Sequence, residues 1–229
     1  MKLLAVETST EACSAALHID GVVEERFEIA PREHTKLILP MIDSLLADAE
    51  LKPQQLDALA FSCGPGSFTG VRISTGVIQG IAFGADLPVV PISTLAAIAQ
   101  HCMISNDAKY ECIFTAMDAR MGEIFWGVYQ KNQQGYAQLI GEEAVTLAEN
   151  IVFPDRQGMG IGSGWGVYEQ QLSDKLDALL LDIEADHLPR ASAVASLGVL
   201  GFENKQAVNV ELAMPVYLRD KVAKKESER

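Results

Sequence analysis

Residues 64–70 read Gly64-Pro65-Gly66-Ser67-Phe68-Thr69-Gly70, and the reading of this stretch decides the fold. It stands between an apolar run, Leu56 to Phe61, and a helical pattern, Val71 to Phe83. Glycine adopts backbone angles that other residues resist and lets a ligand or another backbone come close. A strand turning sharply through such a loop into a helix leaves free backbone N–H groups at the helix start, a setting that suits a phosphate or another anion. Two readings are open: an anion or ligand loop, or a rigid packing corner.

On the N-terminal side, residues 2–6 are apolar and read as a buried strand. Residues 13–19 and 22–29 flank Asp20-Gly21, and Asp-Gly between two strand-like runs signals a hairpin. From His34 to Ala49 the residues Leu37, Ile38, Met41, Ile42, Leu45 and Leu46 recur at helical spacing. Pro40 inside that run either kinks the helix or marks its start. Ala58 to Ser62 is a buried strand that runs into the glycine loop.

On the C-terminal side, the helix after the loop spans Thr69 to Phe83, and Gly76, Gly80 and Gly84 fall four apart on it. Glycine inside a helix costs about 1 kcal/mol against alanine. A stripe of three implies that something packs close to that face: the chain's own sheet or a neighbouring helix, or a helix of another subunit. Leu87 to Ile92 is a further strand, and Ser93 caps a helix through Ala96 to Ala99. Three consecutive strands followed by alternating strands and helices imply a mixed sheet with helices on its faces.

Beyond the polar stretch Ser105 to Lys109 a second strand-rich set begins. Cys112 to Met117, Glu123 to Tyr129 and Tyr136 to Ile140 read as strands, the first two around Asp118-Ala119-Arg120-Met121-Gly122. Residues 158–166 hold five glycines in alternation. They read as tight turns or as a loop that meets a nucleoside, with Trp165 and Tyr168 as base-stacking or core aromatics. Helices follow near Val167–Lys175 and Ser192–Glu203, then an extended Ala213 to Arg219 and a charged tail.

Composition narrows the function. The chain has 229 residues, 48% of them hydrophobic, enough for one large or two small domains. No apolar run approaches the roughly 20 residues that span a bilayer, and Glu7 comes too early for a secretory leader, so a cytoplasmic protein is expected. Cys13, Cys63, Cys102 and Cys112 are widely spaced, form no CxxC pair and read as buried thiols. Acidic residues outnumber basic ones 31 to 18, for a net charge of −13. Nucleic-acid affinity rests on Lys and Arg at phosphates, so the chain alone is expected to bind RNA poorly and to suit a basic protein partner.

The strand ending Glu7-Thr8-Ser9-Thr10, the helix opening at His34, the segment Gly64 to Gly70 with Val71-Arg72, the segment Asp118 to Ile124 and the ending Pro215-Val216-Tyr217-Leu218-Arg219 together resemble the TsaB family, also called YeaZ. The likeness covers essentially the whole chain. It implies an α/β fold of two RNase H-like halves, the actin/hexokinase/Hsp70-like (ASKHA) ATPase fold. Residues 1–104 would form the first half, with partner-binding helices, and residues 105–229 a smaller, degenerate second half. It implies a required part in threonylcarbamoylation of adenosine 37 in tRNAs that read codons beginning with A. In that pathway TsaD carries the transfer, TsaB supports TsaD, and TsaE, an ATPase, joins them.

Residue by residue, the resemblance sets further expectations. TsaD-like proteins carry two histidines four apart on the helix after the first hairpin. Here His34 is followed four residues later by Ile38, so no metal site and no catalytic residue is expected. No HExxH is present either, which argues against a peptidase. The first turn, Glu7-Thr8-Ser9-Thr10-Glu11, keeps hydroxyls but has no glycine, and Glu7 and Glu11 repel a triphosphate. It is read as a vestigial nucleotide cleft; ATP would be held weakly, or at the junction with partners, and the chain would have no cofactor of its own. The partner interface is placed on Leu37, Met41 and Leu45 of one helix and Ile73, Gly76, Val77, Gly80 and Phe83 of the other. The same surface would form a homodimer in the absence of TsaD. Arg72 would cap the glycine loop or reach a partner's carboxylate; Asp118, Arg120 and Glu123 would be a solvated turn or a partner contact. The alternatives are an independent ATP-dependent small-molecule kinase of the same fold and a chaperone-like scaffold.

Overall fold

The structure, a computed structural model, describes residues 1–105 and 110–219. The expected charged tail and most of the polar stretch before the second strand set lie outside these residues. The strands β1 (Lys2–Glu7), β2 (Ala12–Ile19) and β3 (Val22–Ile29) form an antiparallel meander, with Lys2 opposite Ile19 and Ser14 opposite Phe27. Asp20 and Gly21 both take positive φ, 47° and 95°, which the tight hairpin requires. β4 (Ala58–Gly64) joins β1 in parallel and β5 (Val89–Ser93) joins β4, giving the order β3-β2-β1-β4-β5.

The second sheet repeats the plan. β6 (Cys112–Arg120), β7 (Glu123–Lys131) and β8 (Ala137–Leu147) form a meander. β9 (Gly158–Ile161) and β10 (Leu180–Glu184) continue in parallel, in the order β10-β9-β6-β7-β8. The expected third strand, Tyr136 to Ile140, runs on to Leu147 through a bulge opposite Trp126 to Val128. β10, Leu-Leu-Asp-Ile-Glu, is a short, acidic edge strand that lies outside the strands expected from the sequence.

Alternation along the strands divides the core by face. Leu4, Val6, Cys13, Ala15, Leu59 and Phe61 point to one side of the first sheet. There they meet Ile38, Ile42, Leu45 and Leu46 of α1 (His34–Asp48) and Ile78 and Ala82 of α2 (Phe68–Ala85). α1 runs through Pro40, which is exposed. Leu3, Ala5, Ala16, Ala58 and Ala60 point to the other side, against α5 (Ala191–Glu203). The inner face of the second sheet, with Ile113, Met117, Tyr129 and Met159, packs on α3 (Thr94–Ser105). Its outer face, with Phe114, Trp126 and Val128, packs on α4 (Ser163–Leu176).

A division at residues 104 and 105 therefore separates the sheets but not the helices. α5 comes from beyond that division yet lies on the first sheet. Its small residues allow the approach: a Cβ on Gly198 would stand 2.7 Å from that of Ala60, and one on Gly201 2.6 Å from Val90. α3, from before the division, lies on the second sheet and touches α5. At that joint His101 Nδ1 lies 2.8 Å from His187 Nε2, and His187 Nδ1 lies 2.8 Å from Glu184. Burial pushes the His101 imidazole down to about 4.

Candidate functional site

The glycine loop is a crossing point of three chain segments. A Cβ on Gly70 would stand 2.0 Å from the Thr8 carbonyl oxygen, and one on Gly66 2.6 Å from that of Ser9. Gly64 takes φ +115°, and a Cβ there would stand 2.8 Å from the Val216 carbonyl oxygen. Hydrogen bonds fix the crossings. The Ser67 N–H donates to the Ser9 carbonyl at 2.7 Å, and the Thr8 hydroxyl donates to the Gly70 carbonyl at 2.7 Å. The Val216 N–H donates to the Cys63 carbonyl at 2.8 Å. Ser67 caps α2 by accepting from the Gly70 N–H at 3.3 Å. Of the two readings of the loop, the packing corner is the one this geometry satisfies.

The first turn is likewise turned inward. Glu7, Thr8 and Ser9 are almost wholly buried. The Glu7 carboxyl accepts from the Ser62 hydroxyl and, at 2.5 Å, from the Ser9 N–H. Burial raises its pKa above the usual carboxylate range, against the pull of those two donors. A carboxyl so held does not face a ligand, so the expectation that Glu7 and Thr8 line a nucleotide cleft is corrected. Of the four residues Glu7 to Thr10, only Ser9 and Thr10 reach the cleft.

A raised folded-state pKa means that the native state holds the proton more tightly than the unfolded chain. The Glu7 contribution to stability is then present at acidic pH and declines as pH rises from the unfolded value toward the raised one. Glu7→Gln removes this term. Urea denaturation will show the variant gaining on the parent chain between pH 5 and pH 8; a gap that is constant across that range would refute the assignment.

A cleft of about 990 Å³ lies between the halves. Its walls are Ser9 to Glu11, the start of α1 at His34 and Thr35, the loop from Pro65 to Gly70, the end of β6 from Met117 to Arg120, Ser163, and the C-terminal segment Val216 to Arg219. His34 Nε2 lies 2.9 Å and 3.1 Å from the carbonyls of Thr10 and Ala12, so the ring fastens α1 to the first turn. Among the described residues, no group of three or more His, Cys, Asp or Glu is placed to hold a metal ion. The cleft carries the acids Glu11 and Asp118 and the arginines Arg32, Arg120 and Arg219.

Asp118, Arg120 and Glu123 form a braced turn. Asp118 pairs with Arg120 at 3.2 Å, and Glu123 with Arg219 at 2.5 Å. Arg72 donates to the Phe68 carbonyl at 2.8 Å, and its guanidinium lies 3.3 Å from the Phe68 ring centroid and 5.1 Å from that of Tyr217. It thus joins the start of α2 to the C-terminal segment, a contact between residues far apart in sequence that no local pattern signals.

The residues around 158–166 serve packing. Gly160 faces the Trp165 ring, where a Cβ would stand 2.4 Å away, and Gly164 faces Ala116 at 2.8 Å. Trp165 is fully buried and its indole N–H donates to the Phe114 carbonyl at 2.9 Å; Tyr168 packs against the same core.

The outer face of α2 is the opposite case. A Cβ on Gly76, Gly80 or Gly84 would meet nothing within 4 Å. Among the described residues, neither sheet nor helix packs on this glycine stripe. Phe83 is 81% exposed beside it, and Leu39 of the touching helix α1 is 55% exposed. Leu37, Met41, Ile73 and Val77 are half-buried between this surface and the core. Leu45 is fully buried in the first core and is withdrawn from the interface set, because its register on α1 points it into the sheet.

Two sheets, each an antiparallel meander extended by parallel strands and flanked by helices, joined across a cleft, define the actin/hexokinase/Hsp70-like ATPase fold. The TsaD family model, described as tRNA N6-adenosine threonylcarbamoyltransferase, matches residues 19–227. The tRNA threonylcarbamoyladenosine biosynthesis protein TsaB of Escherichia coli is 40% identical, with 97% of this chain and 96% of that protein covered. TsaB of Bacillus subtilis is 30% identical over 96% and 94%. The solved structure of YeaZ from Pseudomonas aeruginosa superposes with a TM-score of 0.87 at 41% identity, covering 95% of this chain and 99% of that one. The chain belongs to the TsaB (YeaZ) family. No helix among the described residues is long and apolar enough to cross a membrane.

Proposed function

We propose that this chain is a non-catalytic, required subunit for the threonylcarbamoylation of adenosine 37 in tRNA, and that it acts by binding and supporting TsaD, with TsaE joining the assembly. The observation that carries this reading is the open glycine stripe of α2. The helix glycines Gly76, Gly80 and Gly84 cost stability that nothing among the described residues recovers, and the approach they allow is filled by a partner helix. The same face pairs two copies of the chain when TsaD is absent.

The first turn supports the non-catalytic part. Its carboxyl and two of its hydroxyls, those of Thr8 and Thr10, are spent on internal hydrogen bonds, and the glycine loop that would cradle phosphate is crossed by other chain segments. These residues do not fit a triphosphate, and no step is routed through one. ATP is held weakly or at the subunit junction.

Depletion of this protein from its host, followed by mass spectrometry of tRNA nucleosides, tests the assignment. Threonylcarbamoyladenosine will fall and unmodified adenosine will rise. Intact modification, or ATP turnover by the purified chain above background, would overturn it.

A further inference from the structure

We infer that the C-terminal segment, residues 213–219, is a clasp that holds the two halves closed over the cleft, and that the Arg219–Glu123 pair is its latch. The segment forms no sheet ladder, yet it is anchored at successive points on both halves. On the first half, the Gln79 side chain of α2 donates to the Ala213 carbonyl at 2.8 Å. Val216 donates to the Cys63 carbonyl at 2.8 Å, at the end of β4. Tyr217 lies under the Arg72 guanidinium. On the second half, Arg219 pairs with Glu123 at 2.5 Å and donates to the Arg120 carbonyl at 3.3 Å, both at the β6–β7 turn.

The segment therefore starts on one sheet's helix, passes over the glycine loop and ends on the other sheet's hairpin. Val216 to Arg219 form one wall of the cleft on the way. Gly64 makes the passage possible, since a side chain there would meet the Val216 carbonyl. The latch is suited to opening. Its two side chains are 18% and 35% exposed, so water competes for them, and the β6–β7 turn that receives Arg219 holds Arg120 and Met121 at positive φ of 64° and 60°. A partly exposed ion pair of this kind stabilises only modestly, which a reversible clasp needs.

The test uses the full chain and rests on this geometry alone. All four native cysteines are buried, so cysteines placed by Lys36→Cys on α1 and Val167→Cys on α4 take spin labels selectively. The expected result in the parent background is one narrow distance distribution across the cleft. Arg219→Ala and Glu123→Gln will each broaden it and add a longer distance. Amide exchange at Val216 will rise about fivefold while that of β1 and β6 stays unchanged. The exchanged pair, Arg219→Glu with Glu123→Arg, will restore the narrow distribution. Distributions and Val216 exchange that are unchanged in both single variants overturn the clasp. Failure of the exchanged pair to restore them overturns the ion pair as its latch.

Discussion

A Gly80→Arg chain will keep its secondary structure and a folded monomer no less stable than the parent's, and will lose partner binding and, in cells, the tRNA modification. Gly80 is exposed, and a Cβ there meets nothing within 4 Å, so an arginine projects from α2 without disturbing the core. Arginine is also a better helix former than glycine, by about 1 kcal/mol, so the isolated chain is not weakened. In the proposed complex the same side chain stands where the partner helix would approach. It holds the two axes apart beyond the 8–10 Å that close packing requires, or buries a cation with no counter-ion. Either outcome costs on the order of 3 kcal/mol, a loss of roughly a hundredfold in affinity. Pull-down and calorimetric titration with TsaD read the loss directly. Normal binding by the variant would move the contact off this face, and Phe83→Ser, on the same surface, would then be neutral as well.

The elements that were legible in the sequence are those whose partners are near in the chain. The meander at the N-terminus announced itself through Asp20-Gly21 and the alternation on either side. α1 and α2 were visible from their apolar periodicity, and the glycine loop from its composition. What was hidden depends on contacts between distant residues. Nothing local to Ala191 to Glu203 says that α5 lies on the first sheet rather than the second; its small residues fit Ala60 and Val90, which stand more than a hundred positions away. The direction of the Glu7 side chain is hidden for the same reason. An acid at the end of the first strand faces the ligand or the core according to whether a donor such as Ser62 awaits it on the neighbouring strand. The alternating glycines from 158 looked like turns because small residues in a strand and small residues in a loop read alike until Trp165 is seen to lie on Gly160.

Gly70→Ala and Gly76→Ala will change stability in opposite directions, although both replace glycine by alanine in the same helix. At Gly76 the added methyl meets open space, and the helix gains alanine's propensity advantage, so the isolated chain becomes more stable by about 0.5–1 kcal/mol. At Gly70 the methyl would stand 2.0 Å from the Thr8 carbonyl oxygen, a backbone atom of the buried first turn. A carbon and an oxygen cannot approach so closely, so either the turn or the start of α2 must move by more than 1 Å. That movement breaks the Thr8 hydroxyl to Gly70 carbonyl bond, whose two residues are buried where nothing replaces it, and the Ser67 N–H to Ser9 carbonyl bond at the cleft wall. Two lost hydrogen bonds with strained packing cost roughly 3 kcal/mol or more, close to the upper end of single-substitution effects. For a chain of this size that lowers the thermal midpoint by roughly 6–12 °C. Urea unfolding of the two variants beside the parent gives both signs in one experiment. A Gly70→Ala chain as stable as its parent would show that the glycine loop is not a packing corner, and the case for a ligand bound there would reopen.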